Sequence, residues 1–154
     1  MNSRAFRGRQ FEQELEFGLE YYQRRGMAWI TRLHVPKIVT QRGTIYVART
    51  WTDLVGFSSD GRAILIEAKS IADVRRKKYT PDREHQLRMV QTAVGAGCLG
   101  LYLIRRGMEE VFLFRPQADF HYGDSVVLDT LPVIKRQWSE SPWAWLEQAK
   151  WLGW

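Results

Sequence analysis

The chain has 154 residues, of which 45% are hydrophobic and 26% are charged, and it carries one cysteine and a formal net charge of +6. This length and composition are typical of one globular domain with a substantial core, and they exclude a disordered chain. A single cysteine also excludes a scaffold held by intrachain disulfides. The positive charge favours a polyanionic partner, either nucleic acid or an anionic membrane surface, and charge alone does not choose between these two.

The sequence predicts no targeting segment and no membrane span. The first ten residues contain Arg4, Arg7 and Arg9, but no apolar stretch follows them, so they do not form a signal peptide. The longest apolar run, residues 93–104, is interrupted by glycines and is too short to cross a bilayer. We therefore expect a cytoplasmic protein that is not secreted and has no membrane partner.

Apolar spacing predicts the secondary structure in chain order. Apolar residues recur at helical spacing from Phe11 to Tyr22, before Gly26, which predicts a helix over residues 8–25. The other expected elements are strands over 27–33, 44–50, 54–57, 62–68, 99–104 and 111–114, a loop over 71–83, and helices over 83–95 and within 142–152. This order predicts an α/β fold in which helices flank a mixed sheet.

The tryptophans divide the chain into two parts. Five of the seven follow residue 132, so we expect a main domain over residues 1–131 and a tryptophan-rich C-terminal extension over 132–154. Tryptophans in such an extension can stack on nucleic-acid bases, but packing against the domain or a partner subunit is the commoner role. We therefore favour packing.

A turn signal brings three polar residues together. Residues 58–61, Ser-Ser-Asp-Gly, are typical of a tight hairpin turn between two short strands. The hairpin places Asp53, at the entry of its first strand, close to Glu67 and Lys69, at the exit of its second strand. Glu67 and Lys69 are two residues apart, so their side chains lie on the same face of the strand.

Two interpretations of this cluster are open. Asp53 and Glu67 offer hard oxygen ligands for a divalent cation, and the carbonyl of Ala68 offers another. Lys69 would then place or activate a water for phosphodiester hydrolysis. The alternative is a surface ion pair at the edge of a strand, which is the commoner outcome of such spacing.

Basic residues near the cluster are candidate contacts to a phosphate backbone. One basic run begins six residues after Lys69, and further arginines lie at the N-terminus. These DNA-binding candidates are Arg7, Arg9, Arg75, Arg76, Lys77 and Lys78. A solvated, flexible charge run is the usual alternative, but the proximity of the run to Lys69 favours a role in binding.

Two helix residues are weaker candidates. Glu12 lies at the margin of the apolar stripe of the first helix, and Gln86 lies on the first turn of the second helix. On local grounds each is more simply an exposed helix residue. The three histidines lack zinc-binding spacing, and the chain has no glycine-rich phosphate loop, so neither a zinc site nor a nucleotide cofactor is predicted.

These candidates occur in a fixed order along residues 7–116. The motifs are Gly8-Arg9-Gln10-Phe11-Glu12, Tyr21-Tyr22-Gln23-Arg24-Arg25-Gly26, Thr50-Trp51-Thr52-Asp53 with Val55-Gly56, Gly61-Arg62, Glu67-Ala68-Lys69, and Glu84-His85-Gln86 before Gly97. The series, with the strand pair that follows it, resembles the PD-(D/E)xK nuclease superfamily. Within that superfamily it is most similar to the RecU-type Holliday junction resolvases.

The resemblance implies a PD-(D/E)xK-like mixed sheet flanked by helices, and a Mg²⁺-dependent endonuclease for which Mn²⁺ can substitute. It further implies a homodimer that acts on four-way DNA junctions in a bacterial or phage-infected cell. Asp53 and Glu67 would be metal ligands and Lys69 the catalytic lysine. Glu12 would help to hold metal or water, and Gln86 would be a supporting polar residue. A two-fold enzyme suits a substrate that requires two symmetric nicks.

Three features depart from the family pattern. Thr52 stands where the superfamily name has proline, although RecU-type enzymes also tend to have threonine there. The connection over residues 36–43 is expected to be shorter than the RecU protrusion, and the residues after 132 are not covered. The alternatives are another PD-(D/E)xK endonuclease that cuts duplex DNA, and a non-catalytic DNA-binding module.

Overall fold

The computed structural model describes residues 3–33, 37–46, 52–136 and 143–154, which form one mixed α/β domain. Its helices are α1 (Ser3–Arg24), α2 (Glu84–Gly95) and α3 (Trp145–Trp151). Its strands are β1 (Ala28–Arg32), β2 (Lys37–Thr40), β3 (Gly43–Tyr46), β4 (Leu54–Ser58), β5 (Ala63–Ile71), β6 (Lys78–Tyr79), β7 (Leu99–Arg106), β8 (Glu110–Phe114), β9 (Val126–Val127) and β10 (Val133–Lys135). Of the helices in these ranges, none has the length and apolar character needed to cross a membrane.

Six strands form one mixed sheet in the order β1-β4-β5-β7-β8-β10. β5 and β7 pair in parallel, whereas their neighbours in this sheet pair antiparallel. Parallel neighbours need a crossover connection, and α2 lies in the crossover between these two strands. Two smaller sheets are formed by β2 with β3 and by β6 with β9. The mixed sheet with its helices confirms the expected α/β class.

The central strands of the main sheet are buried on both faces. Side chains alternate along β7, so Leu101 and Leu103 pack on one face, and Tyr102 and Ile104 pack on the other. α1 and α3 cover the first face, and α2 covers the second. The second face is the one toward which Glu67 and Lys69 project, because Glu67 pairs with Tyr102 in the parallel ladder.

The C-terminal extension contributes to the main sheet and to its core. β10 pairs with β8 at the edge of the sheet. Trp143 and Trp145 are each only 1% exposed to solvent. Trp154 packs partly buried against the same core, whereas Trp151 is 80% exposed. Trp143, Trp145 and Trp154 therefore pack on the domain, whereas Trp151 does not, and packing of Trp151 against a partner subunit stays a prediction. Trp138 lies outside the described residues.

Two elements are longer than the sequence predicts. α1 begins at Ser3 rather than at residue 8. Phe6 is 56% exposed, so the first turns carry no apolar stripe that would reveal them. β5 continues to Ile71 because Lys69 and Ser70 extend the parallel ladder with β7. Glu67 and Lys69 therefore lie inside the strand and not at its end.

Short strands account for the remaining differences. β2 lies in the expected connection over 36–43 and forms a hairpin with β3, which begins the expected strand over 44–50. β6 lies within the expected loop over 71–83. β6 buries Tyr79 to 6% exposure, so this segment is anchored to the domain. Two-residue strands are too short to show periodicity, which explains why the sequence does not reveal them. The expected strand over 44–50 is described only as far as Tyr46.

Candidate active site

The β4–β5 hairpin places Asp53 beside the backbone of β5. Its tight turn requires a left-handed residue, which Gly61 supplies with φ of +81°. The Asp53 amide donates to the carbonyl of Ile66 at 3.0 Å. Its side-chain Oδ2 accepts a hydrogen bond from the Ala68 amide at 2.8 Å. The predicted proximity of Asp53 to the Glu67–Lys69 segment is confirmed.

Lys69 is the centre of the site. Its Nζ lies 2.8 Å from Oε1 of Glu67 and 3.2 Å from Oδ1 of Asp82. It also donates a hydrogen bond to Oε1 of Gln86 at 3.2 Å. An ammonium group has three N–H donors, so these three acceptors can satisfy it completely.

Gln86 reaches the site because α2 packs over β5 and β7. It is 3% exposed, on the same helix face as Leu87 and Val90. The interpretation of Gln86 as an exposed helix residue is therefore wrong. A buried amide needs a polar partner, and the Lys69 ammonium provides one.

Burial dominates the electrostatics of Glu67. Its side chain is 1% exposed. Burial, reinforced by the nearby charge of Asp53 and opposed by Lys69, raises the pKa of Glu67 to about 8. Taking a carboxylate out of water beside a second carboxylate disfavours its ionised form. The site is therefore short of positive charge even with Lys69 present.

Lys69 and Asp82 favour each other's charged forms. Burial acts to lower the pKa of Lys69, but the charges and hydrogen bonds of Glu67 and Asp82 outweigh it, so the pKa is raised. Burial likewise acts to raise the pKa of Asp82, and Lys69 outweighs it, so that pKa is lowered. Lys69 is therefore a persistent cation in this site.

Glu12 lies near Asp53 but is held by another residue. Its carboxylate forms an ion pair with Arg32 at the end of β1. Nη1 of Arg32 also lies 3.5 Å from Oε1 of Glu16. Burial is the main cause of the raised pKa of Glu12; the charge of Arg32 opposes it and the charge of Asp53 adds to it. Glu12 and Asp53 are thus close enough for their charges to interact, and Arg32 neutralises Glu12.

The donor atoms can be tested against a divalent cation. Across the described ranges, no three His, Cys, Asp or Glu side chains group together to hold a metal ion. However, Oε2 of Glu67 is buried without a hydrogen-bond partner among the described residues, and Asp53 repels the charge of Glu67. A cation would relieve both conditions. Mg²⁺ is commonly bound by one or two carboxylates and several waters, so Asp53 and Glu67 fit it.

The basic candidates divide into two groups. Arg7 of α1 and Arg76 line a cavity of about 510 Å³ that begins at Lys69. Arg9 is exposed on α1, and Arg75 pairs with Asp73. Lys77 and Lys78 are also exposed. The lining of the cavity includes none of these four residues.

Two residues of the site are not found by the sequence analysis. Asp82 lies in irregular chain before α2, where the sequence carries no periodic signal. Arg32 ends a strand that is distant in sequence from its partner Glu12. The sequence pattern that could have indicated the Glu12–Arg32 pair is a basic residue at the end of the first strand, together with acidic residues at helical spacing on the first helix. The pattern that could have indicated Asp82 is its position directly after Pro81, before the second helix.

No protein-family model and no curated protein matches this chain.

Proposed function

We propose that this protein is a metal-dependent, structure-selective endonuclease that resolves four-way DNA junctions by paired symmetric nicks. The observation that carries the proposal is the convergence of two carboxylates and a lysine from one hairpin. Asp53 bonds to the backbone beside Glu67, and Lys69 contacts Glu67 directly. This is the arrangement that the PD-(D/E)xK resemblance leads us to expect.

Mg²⁺, with Mn²⁺ as a substitute, is the proposed cofactor, and Asp53 and Glu67 are the proposed ligands. When bound, it supplies polarisation of the phosphate and a lowered pKa for the attacking water. Glu12 is proposed to hold an outer water rather than the ion, because its carboxylate is paired with Arg32.

Lys69 is proposed to orient the nucleophilic water and to stabilise negative charge on the phosphate. To do so it must exchange one of its three acceptors. Asp82 is the natural one to release, because its side chain is 57% exposed whereas that of Glu67 is 1% exposed. Gln86 would keep the ammonium aligned during this exchange.

The choice of a branched substrate rests on the resemblance to RecU-type enzymes. A net charge of +6 is consistent with DNA as the partner. We propose a homodimer, because two symmetric nicks match a two-fold arrangement of active sites. A PD-(D/E)xK-type enzyme that cuts linear duplex is the closest competing function.

One experiment separates these possibilities. The protein is incubated with an immobile four-way junction and with a linear duplex of matched sequence, each with Mg²⁺ or with EDTA. We expect paired nicks in the junction, with Mg²⁺ only. Equal cutting of the linear duplex would contradict junction selectivity but retain the nuclease. Tight binding without cutting in either Mg²⁺ or Mn²⁺ would contradict the nuclease and indicate a binding module.

A further inference from the structure

The cavity next to Lys69 is the least explained part of the site. Its volume of about 510 Å³ lies within the range of roughly 300–1,000 Å³ that is typical of pockets for whole small ligands. Its lining runs from Ala68 and Lys69 along the end of β5 to Asp73, and Asp53 does not line it. If the cleaved phosphate of a DNA strand lies at Asp53 and Glu67, the next nucleotide of that strand must lie beside this phosphate.

The charges that line the cavity favour an anion. Three basic side chains, Arg7, Lys69 and Arg76, face two acidic ones, Asp73 and Asp82. Both acidic groups already have cationic partners. Asp73 accepts from Nε of Arg75 at 3.4 Å, and Asp82 lies 3.2 Å from Lys69. Among the described residues, the Arg76 side chain donates through Nε to the carbonyl of Lys78 at 3.1 Å, so its terminal nitrogens can donate to an anion.

The walls of the cavity are fixed by a buried arginine. Arg105 is 0% exposed, and its Nη2 donates to the carbonyl of Arg7 at 2.8 Å and to Oγ of Ser70 at 3.4 Å. Arg105 therefore ties α1 to the end of β5 through two residues, Arg7 and Ser70, that line the cavity. A site whose walls are held before a ligand arrives loses less entropy on binding.

Gly8 supplies the open space. It lies within α1, where glycine is less favourable than alanine, and it lines the cavity. A Cβ added to Gly8 would meet no atom within 4 Å, so neither packing nor an unusual φ requires glycine here. Glycine at this position leaves room for a ligand to approach the α1 backbone closely.

We propose that this cavity binds one nucleotide unit of the strand that is cut, with the phosphodiester next to the cleaved one held by Arg7 and Arg76. The sugar lies over Gly8, where a side chain would exclude it. This inference rests on the proposed nuclease function, because it defines how that site holds its substrate.

The first test measures binding without cleavage. A single-stranded tetrathymidylate is titrated into ¹⁵N-labelled protein in EDTA, and amide shifts are followed by NMR. We expect the largest shifts at Gly8, Ser70 and Ala72. Gly8→Leu should weaken binding about tenfold or more because its side chain fills the space of the nucleotide. Arg76→Gln should weaken binding to a similar extent because it removes a charge-assisted contact. Arg88→Gln is the matched control, because Arg88 carries the same charge, pairs with Glu84 and does not line the cavity.

The second test measures cleavage with Mg²⁺, so that the two proposals fail separately. Oligonucleotide binding in the cavity by a protein that cuts no DNA would retain the cavity as a nucleotide-binding site and contradict the nuclease. Junction cleavage by Gly8→Leu at the unsubstituted rate would overturn this proposal and retain the nuclease. Unchanged oligonucleotide affinity in both variants, or amide shifts confined to other surfaces, would also overturn it.

Folding of the variants is checked independently. Gly8→Ala should raise the melting temperature, since alanine is the better helix residue, and should still weaken oligonucleotide binding. If Gly8→Leu does not fold, the amide shifts of the unsubstituted protein and the affinity of Gly8→Ala decide the proposal.

Discussion

Among the described residues, Asp82 is the exposed ion-pair partner of Lys69: its Oδ1 lies 3.2 Å from the lysine Nζ, and its side chain is 57% exposed. The other carboxylate that contacts Lys69, Glu67, is buried. Asp82 therefore helps to hold Lys69 in its resting position together with Glu67 and Gln86. Because Asp82 is exposed, it can give way to substrate without leaving its own carboxylate buried and unpaired.

This relationship predicts a graded effect of substitution. Asp82→Ala should lower the cleavage rate about tenfold, because Lys69 loses one of its positioning contacts, whereas Lys69→Ala should lower it by about 100-fold or more. Asp82→Asn should lie between Asp82→Ala and the unsubstituted protein, because its amide oxygen can still accept from Lys69. Single-turnover cleavage of a four-way junction measures these rates. Equal loss in Asp82→Ala and Lys69→Ala would show that Asp82 does more than position the lysine.

Asp53→Asn should abolish cleavage while junction binding is largely retained. The substituted side chain keeps an oxygen that can accept from the Ala68 amide, so the hairpin should persist. It loses the charge that a metal ligand requires, and the rate should fall by at least about 100-fold. Binding should survive because phosphate contacts from basic residues dominate affinity.

The Asp53 experiment has a matched control in Asp119→Asn, since Asp119 is exposed in a turn away from the site. Cleavage is followed on denaturing gels, and binding by mobility shift in Ca²⁺. A normal cleavage rate for Asp53→Asn would show that the metal assignment is wrong.

The buried Glu67 predicts how stability depends on pH in EDTA. The unfolded pKa is near 4.5 and the folded pKa is about 8, so the folded state binds more protons between these values. This contribution to stability is complete below pH 4.5 and is lost as pH rises to 8. The slope from this group is at most about 1.4 kcal/mol per pH unit.

Urea denaturation at several pH values measures this dependence. Glu67→Gln should flatten it and should be the more stable protein at pH 8 in EDTA. Glu20→Gln is the control, because Glu20 is exposed on α1. Mg²⁺ should stabilise the unsubstituted protein at pH 8 and should have little effect on Glu67→Gln. The same fall in stability in both proteins would assign it to another group.

The C-terminal tryptophans should differ sharply in their effect on stability. Trp143 is buried, donates from Nε1 to Oε2 of Glu14 at 3.0 Å, and packs edge-on against Phe11. Trp143→Ala should lower the free energy of unfolding by about 3–5 kcal/mol. Trp151→Ala should change it by less than about 0.5 kcal/mol, since Trp151 is 80% exposed. Urea denaturation compares the two, and similar values for both would contradict the assigned packing.

The sequence predicts the site where its geometry is local. The turn at residues 58–61 determines the pairing of β4 with β5, so the proximity of Asp53 to Glu67 could be predicted from their spacing in the sequence. The strand period then aligns Glu67 with Lys69. Gln86 could be located on its helix, but its burial depends on how α2 crosses the sheet, and no local pattern contains that information.

The parts that sequence reasoning misses are set by contacts between distant segments. Glu12 pairs with Arg32 because α1 packs along β1, and this pairing changes the expected role of Glu12. Tyr79 is buried because β6 pairs with β9, far along the chain. Trp143 lies in the core, where its Nε1 donates a hydrogen bond to the Glu14 carboxylate of α1. Each of these contacts depends on tertiary packing, which outweighs local preference.

The parallel pairing of β5 with β7 has a consequence for the order of folding. The β4–β5 hairpin is local and can form early, and it already contains Asp53, Glu67 and Lys69. Gln86 and Asp82 reach the lysine only when the crossover closes, and such non-local pairing is slow because a long loop must be ordered first. A nascent or partly folded chain would thus hold the acidic residues together while its lysine is still unaligned. Such a chain should bind cations before it can cut DNA.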